Sequence, residues 1–383
     1  MLKGIEKYLK VYMEDFMFIE IGQQVTESKK DISFLKDVPI PISVERVAHQ
    51  IQKEGFERVP FDAMVKGMIY TLGVDKEFKY NEAYKKFLYL AHPEIVNYIL
   101  YQGVQLAEEE KYVDAIIHFR AVLVLEENNL NAMVNYGKCC SDIHDTSKDL
   151  EEKKTFKQEA LNTFESILDS HPDYPVAYYY LGYLSVNQKT YQKAKIYWKK
   201  FLELSDDEDK KEEIMVKLAQ IEDYVIYERG YTHILNSEFA KGLELLLQLE
   251  ERHKEWWNLL FFIGLAYRNL KRMEEAIEYF KRVLILKPSQ RDTINELGLC
   301  YTSIFDLKAA EKYFKKALIL GEDHEVLCNL AVVYMNTGEF KKAEEALEEA
   351  LALCPDDPIV LQWMEKLDEI TGTIASTPKI NKD

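Results

Sequence analysis

At 383 residues the chain exceeds the size at which one hydrophobic core usually stops growing, so it must split into domains or extend as an array of units. Its 47% hydrophobic and 30% charged residues exclude a disordered chain. A formal net charge of −17 weighs against non-specific binding to nucleic-acid phosphates or anionic lipid and favours a basic partner.

The N-terminus, MLKGIEKYLKVYMEDFMFIEIG, carries Glu6, Glu14, Asp15 and Glu20 through what would be the apolar core of a signal peptide. No run approaches the roughly 20 apolar residues of a membrane span, so cytoplasmic residence is expected. KVYMEDFMFIEI fits a strand or a helix equally. DVPIPIS must be extended around Pro39 and Pro41, because each proline disfavours helix in its predecessor. SVERVAHQIQKEG predicts a helix capped by Ser43 and stopped by Gly55. A helix-turn-helix over Val44 to Leu72 is set aside, since Gly55 to Pro60 is a poor tight turn and the basic residues are matched by acids. Residues 1–63 thus form an N-terminal segment without a recognisable fold. Within 64–95, Tyr80, Ala83, Phe87 and Leu90 have the spacing of a second repeat helix, and FDAMVKGMIYTLG supplies a first, predicting a degenerate repeat.

From Val96 onward the chain repeats itself. Gly264 and Gly298 stand 34 residues apart and Ala331 follows after 33. Tyr267, Tyr301 and Tyr334 keep that spacing, as do Ala276, Ala310 and Ala343, and Phe280, Phe314 and Leu347. A period near 34 with small, aromatic and apolar residues at fixed phases is that of two short antiparallel helices and their turns.

Leu260, Ile263, Gly264, Tyr267, Ala276, Phe280, Val283 and Pro288, and again Leu327, Leu330, Ala331, Tyr334, Ala343, Leu347, Ala350 and Pro355, follow the order of the tetratricopeptide repeat. The chain resembles that family. The small residue on the first helix lets the second approach closely, and aromatics fill the remaining gaps. The same phase predicts seven units, near 96–129, 130–174, 175–208, 223–256, 257–290, 291–323 and 324–357, with first-helix small residues Gly103, Gly137, Gly182, Gly230, Gly264, Gly298 and Ala331. Two gaps are long: Asp145 to Thr155 implies a lengthened helix pair or loop, and Ser205 to Asp223 opens on acids suited to a turn or a helix N-terminus. The unit after Asp223 is atypical, with His233 for tyrosine and Gly242 for alanine. Residues 358–370 predict an amphipathic capping helix over the open end of the last repeat, and 371–383 a loose tail. The fold class expected is all-α: an α-solenoid, a right-handed superhelix of about seven repeats with a C-terminal cap and a small N-terminal non-repeat segment.

Chemistry-bearing patterns are few. The five cysteines are odd in number and show no C-x-x-C pair, so neither a disulfide framework nor a zinc site is indicated. No phosphate-cradling glycine loop occurs, and the eight histidines make no H-E-x-x-H spacing. Glu344, Glu345, Glu348 and Glu349 read as a solvated helix face. No catalytic residue, cofactor or metal is expected.

The resemblance implies a groove lined by the first helices that receives an extended peptide or a partner's helix. Its inward phases give Asn131, Asn135 and Lys138; Tyr179, Tyr180, Tyr183 and Asn187; Tyr224, Tyr227 and Tyr231; Asn258, Arg268 and Asn269; then Asn295 and Asn329. Tyrosine offers broad contact at low entropy cost, and asparagine both donates to and accepts from a peptide backbone. Several of these aromatics have core spacing as well. The Lys and Asn clustering with which some members grip a chaperone's terminal carboxylate is not reproduced, because no Lys or Arg matches Asn135 and Lys138 in the next unit. A non-enzymatic scaffold for proteins or peptides is the expected function. The alternatives are a peptide-responsive regulator acting through its N-terminal segment on a response regulator or DNA, and an enzyme with its site before residue 95.

Overall fold

Several helix boundaries fall where the sequence supplies caps. Asn129 accepts a hydrogen bond from the Ala132 amide at 3.0 Å, Asp149 from Glu152 at 2.7 Å and Asp306 from Ala309 at 3.1 Å, each satisfying an amide that a helix start leaves unpaired. Pro175 opens another helix with its φ already fixed, and Gly338 closes one in the left-handed conformation, φ 78°, that glycine adopts without steric cost. The computed structural model describes residues 4–20, 30–44 and 61–376, with 18 α-helices among the described residues. The chain divides into two compact units, Met1–Ala219 and Gln220–Asp383.

In the first unit α1 (Glu6–Leu9) and a 3-10 helix (Lys10–Met13) lead into β1 (Phe16–Ile19), which pairs antiparallel with β2 (Ile40–Ser43), Phe16 opposite Ser43 and Ile19 opposite Ile40. The segment left open by periodicity is therefore a helical turn followed by a strand, and the proline-bearing stretch is extended. This sheet is the departure from an all-helical chain among the described residues. Ser43 ends β2, and the helix expected to follow it as far as Gly55 lies, from residue 45 on, outside the described residues. The sheet lies on α2 (Phe61–Val74), where a Cβ on Gly67 would stand 2.0 Å from the Pro41 carbonyl oxygen, so only glycine admits the contact.

The degenerate repeat expected over 64–95 does not pack as one. α2 lies mainly on β2 and on α5 (Tyr112–Leu125) rather than along α3 (Asn81–Ala91). Arg120 of α5 donates to the Gly73 carbonyl at 2.6 Å, and Tyr70 donates to Asp114 at 2.5 Å. These polar ties leave α3 packed against Pro39, whose carbonyl accepts the Tyr84 hydroxyl at 2.5 Å.

Helical hairpins follow: α4 (Ile95–Glu108) with α5, α6 (Leu130–Thr146) with α7 (Leu150–Ser170), and α8 (Pro175–Asn187) with α9 (Tyr191–Leu204). The surplus between Gly137 and Gly182 lengthens helices, α6 to 17 residues and α7 to 21. Phe119, Phe156, Phe164 and Trp198 are fully buried. Ile5 and Leu9 from α1 and its approach join the same core as Ile116 and Phe156.

The second surplus makes α10 (Glu208–Leu235) a helix of 28 residues, and its acidic start is the first turn of that helix. The boundary between the two units falls within it. In the second unit Gly230 of α10 meets Leu246 and Gly242 of α11 (Phe239–Glu250), which explains why that pair tolerates glycine where alanine is expected. Three regular hairpins succeed it: α12 (Trp257–Asn269) with α13 (Met273–Leu286), α14 (Arg291–Ser303) with α15 (Leu307–Ile319), and α16 (His324–Thr337) with α17 (Phe340–Leu353). An added Cβ at Gly264 would lie 2.8 Å from the Phe280 ring, so the small residue and the aromatic act as one steric pair. The last helix, α18 (Pro358–Ser376), buries Val360 and Leu367 against α16 and α17. It runs past the expected end at 370, into the stretch read as a loose tail. No proline interrupts it before Pro378, and Thr371 bonds back to the Leu367 carbonyl at 3.0 Å.

Candidate functional site

Two aromatic surfaces, one in each unit, gather most of the residues predicted from the inward phases. In the first unit the hairpin turns set α6 beside α8, and the start of α10 closes the edge. Between them is a hollow of about 440 Å³, lined among others by Val134, Lys138, Val176, Tyr179, Tyr180, Phe201, Asp207 and Lys210. Lys210 is paired with Asp207 at 2.7 Å, whereas Lys138 makes no ion pair among the described residues.

The tyrosines here are half-buried and anchored. Tyr179 donates to one oxygen of Glu213 at 3.0 Å and Tyr183 to the other. The Tyr179 ring packs 5.4 Å from Phe201 and the Tyr183 ring edge-on to Trp198 at 5.1 Å, while Tyr180 stacks on Phe164 at 4.9 Å with the planes 6° apart. Burial first, and then the hydrogen bond to Glu213, raises the Tyr179 and Tyr183 phenols above their ordinary value, and burial raises Tyr180. All three stay neutral at physiological pH. Asn131 is exposed; Asn135 is half-buried and donates to the Asn131 carbonyl at 2.8 Å. Asn187 is exposed at the far end of α8, away from the hollow.

In the second unit Tyr227 packs 4.5 Å from Trp256, Tyr224 5.4 Å from the same indole, and Tyr231 stacks on Phe262 at 5.5 Å. Tyr224 is 43% exposed, and burial raises the Tyr227 and Tyr231 phenols. Asn258 is half-buried at the start of α12. The remaining predicted contacts are occupied within the fold. Arg268 lies 2.5 Å from the Glu296 carboxylate of the next hairpin, a contact of opposite charges without hydrogen-bond alignment. Burial raises the Glu296 carboxyl although Arg268 opposes it. Asn269 donates back to the Leu265 carbonyl at 2.8 Å, and Asn329 reaches Asn295 at 3.5 Å.

Sequence reasoning missed Glu213, Trp198, Phe201 and Trp256, which hold the tyrosines in place. Glu213 sits in an acidic run that reads as a solvated helix start, and Trp256 stands just outside α12, so neither carries a repeat-phase signal. A second hollow of about 370 Å³ in the first unit, bordered by Phe61, Lys66, Tyr70, Tyr98 and His118, lies away from every predicted residue. Burial lowers the His118 imidazole there, and its Nδ1 lies 2.7 Å from the Asp114 carbonyl oxygen.

Three hairpins of the second unit are matched by family profiles. Residues 257–290 and 324–357 fit one profile of the tetratricopeptide repeat, and residues 292–319 fit another. Residues 257–357 thus carry three tetratricopeptide repeats. No curated protein matches it. Among solved structures, the tetratricopeptide-repeat protein YrrB, described as having an unusual peptide-binding site, is 17% identical, with 53% of this chain and 97% of that one covered at a TM-score of 0.38. PilF of Pseudomonas aeruginosa is 12% identical over 71% of this chain and 97% of that one, TM-score 0.36. The Sgt2 repeat domain from Aspergillus fumigatus is 19% identical over 32% and 82%, TM-score 0.29. These similarities are too low to bear on what the repeats of this chain bind.

Proposed function

We propose that this tetratricopeptide-repeat protein is a non-enzymatic cytoplasmic adaptor that holds an extended peptide against α6 and α8 of its first unit. The hollow between those helices carries the reading: it sets the half-buried rings of Tyr179 and Tyr180 beside Lys138, which has no ion-pair partner among the described residues. Anchored rings present apolar area with little left to order on binding. An apolar side chain of the peptide enters the hollow, its backbone meets the carboxamides of Asn131 and Asn135, and the net charge of −17 favours a ligand that is basic outside that anchor. Four of the five cysteines are buried free thiols, which suits a reducing compartment. The regulator reading would use the N-terminal segment as an output module; Ile5 and Leu9 are instead buried in the core of the first unit, which favours the adaptor.

The test is peptide selection from a random displayed library on the full chain, followed by fluorescence polarisation with the selected peptides. Tyr179→Ala and Lys138→Ala, each checked for native circular dichroism, are expected to weaken binding at least about tenfold, the loss of one well-packed contact. Undiminished affinity in both folded variants would remove the proposal.

A further inference from the structure

The junction between the last hairpin and α18 brings three Lewis bases together in the second unit, independent of the peptide surface. His324 opens α16, Cys354 ends α17, and Asp357 caps α18. His324 Nε2 lies 3.0 Å from Asp357 Oδ2, and the nitrogen, the Cys354 sulfur and the carboxylate oxygen all fall within 4.8 Å of one another. All three residues are half-buried.

Their positions are fixed before any ligand arrives. Cys354 and Asp357 share one turn, closed by the Asp357 amide donating to the Cys354 carbonyl at 3.3 Å, with Pro355 inside it. The other oxygen of Asp357 is held by the amides of Ile359 at 2.7 Å and Val360 at 3.3 Å, so Oδ2 is the one presented to His324. Such outer hydrogen bonds orient a carboxylate ligand and fix which oxygen is free.

The preceding hairpin shows what the junction needs for packing alone. There Arg291, opening α14, pairs with Asp323, the cap of α16, at 2.8 Å, and the chain position matching Cys354 is Leu320. A guanidinium is always charged and offers no lone pair to a metal. At the last junction an imidazole stands in its place, a thiol replaces the leucine, and no Lys or Arg pairs with Asp357 among the described residues. An inter-repeat ion pair does not require that thiol.

We propose that His324, Cys354 and Asp357 bind a divalent transition ion of the zinc class through Nε2, Sγ and Oδ2, with water in the fourth position. Bonds of roughly 2.0–2.3 Å put tetrahedral ligand atoms about 3.3–3.8 Å apart, which small rotations of the three side chains supply. One nitrogen, one sulfur and one oxygen donor suit a borderline-soft ion rather than magnesium or calcium. The thiol releases its proton to solvent on binding. The ion would fasten the last hairpin to its cap.

The test is titration of Co²⁺ into the full, reduced, metal-free chain, followed by absorption. The expected result is a saturable thiolate-to-cobalt charge-transfer band at one ion per chain, abolished by equimolar Zn²⁺. Cys354→Ser should lose the band, and Asp357→Asn, which keeps a capping oxygen, should weaken binding about tenfold or more. Zn²⁺ should raise the thermal midpoint of the native chain but not that of Cys354→Ser. A native chain without the charge-transfer band, or a band that persists in Cys354→Ser, overturns the proposal.

Discussion

Glu213 accepts the Tyr179 hydroxyl at 3.0 Å, and its second oxygen accepts that of Tyr183. One carboxylate from the start of α10 therefore fixes two rings of α8. Replacing it, Glu213→Ala, leaves two half-buried phenols to find water, and hydrogen bonds to a charged acceptor contribute more than neutral ones. Partial exposure discounts the effect to about 1–2 kcal/mol. A urea denaturation midpoint that does not move would mean that water replaces the carboxylate without loss.

The hairpin crossings make a second prediction. A Cβ on Gly298 would lie 2.5 Å from the Phe314 ring. Gly298→Ala should therefore destabilise the second unit by about 1–3 kcal/mol, even though alanine favours helix over glycine by ~1 kcal/mol. Combined with Phe314→Leu, the two changes should cost less than their sum, because the smaller side chain relieves the clash. Strict additivity in the double-mutant cycle would refute the steric pairing.

That crossing was legible in the sequence because glycine and phenylalanine recur at fixed phases. The stacking of hairpins from Ile95 onward followed from the same arithmetic, and the two long gaps proved to be lengthened helices. What was not legible was set by contacts without a period. β1 and β2 pair across a long sequence separation, so no local pattern couples Phe16 to Ser43. α2 binds α5 through Arg120 and Tyr70, a polar contact invisible to hydrophobic phase. The inward phases located Tyr179, Tyr183 and Tyr227 on their helices but could not show that Glu213 and Trp256 hold them, nor that Arg268 is taken by Glu296.

The N-terminal segment should behave as part of the first unit. Leu9 is fully buried in the core that also contains Ile116 and Phe156. Leu9→Ala is expected to lower the stability of that unit by about 2–5 kcal/mol, the range for truncating a buried leucine. Chemical denaturation followed by the fluorescence of Trp198, the other tryptophans being replaced, reads this directly. A change below ~0.5 kcal/mol would mark the segment as a detachable appendage.

Alkaline pH should unfold the chain before its helices lose intrinsic stability. Burial is the main cause that holds Tyr70, Tyr84, Tyr136 and Tyr180 above the ordinary phenol value, and Tyr136 well above it. The unfolded chain releases these protons near pH 10 while the folded chain retains them, so stability is intact below about pH 10 and falls as pH rises further. Urea midpoints measured from about pH 8 to pH 11 should be level and then decline. A midpoint that rises across that interval would contradict the burial of these phenols.

The central claim is that α6 and α8 of the first unit form the peptide surface. Amide hydrogen exchange on the full chain, with and without a library-selected peptide, tests it most directly. Protection concentrated between Leu130 and Thr146 and between Pro175 and Asn187 is the predicted result; protection confined to the second unit, with those two helices unchanged, would contradict it.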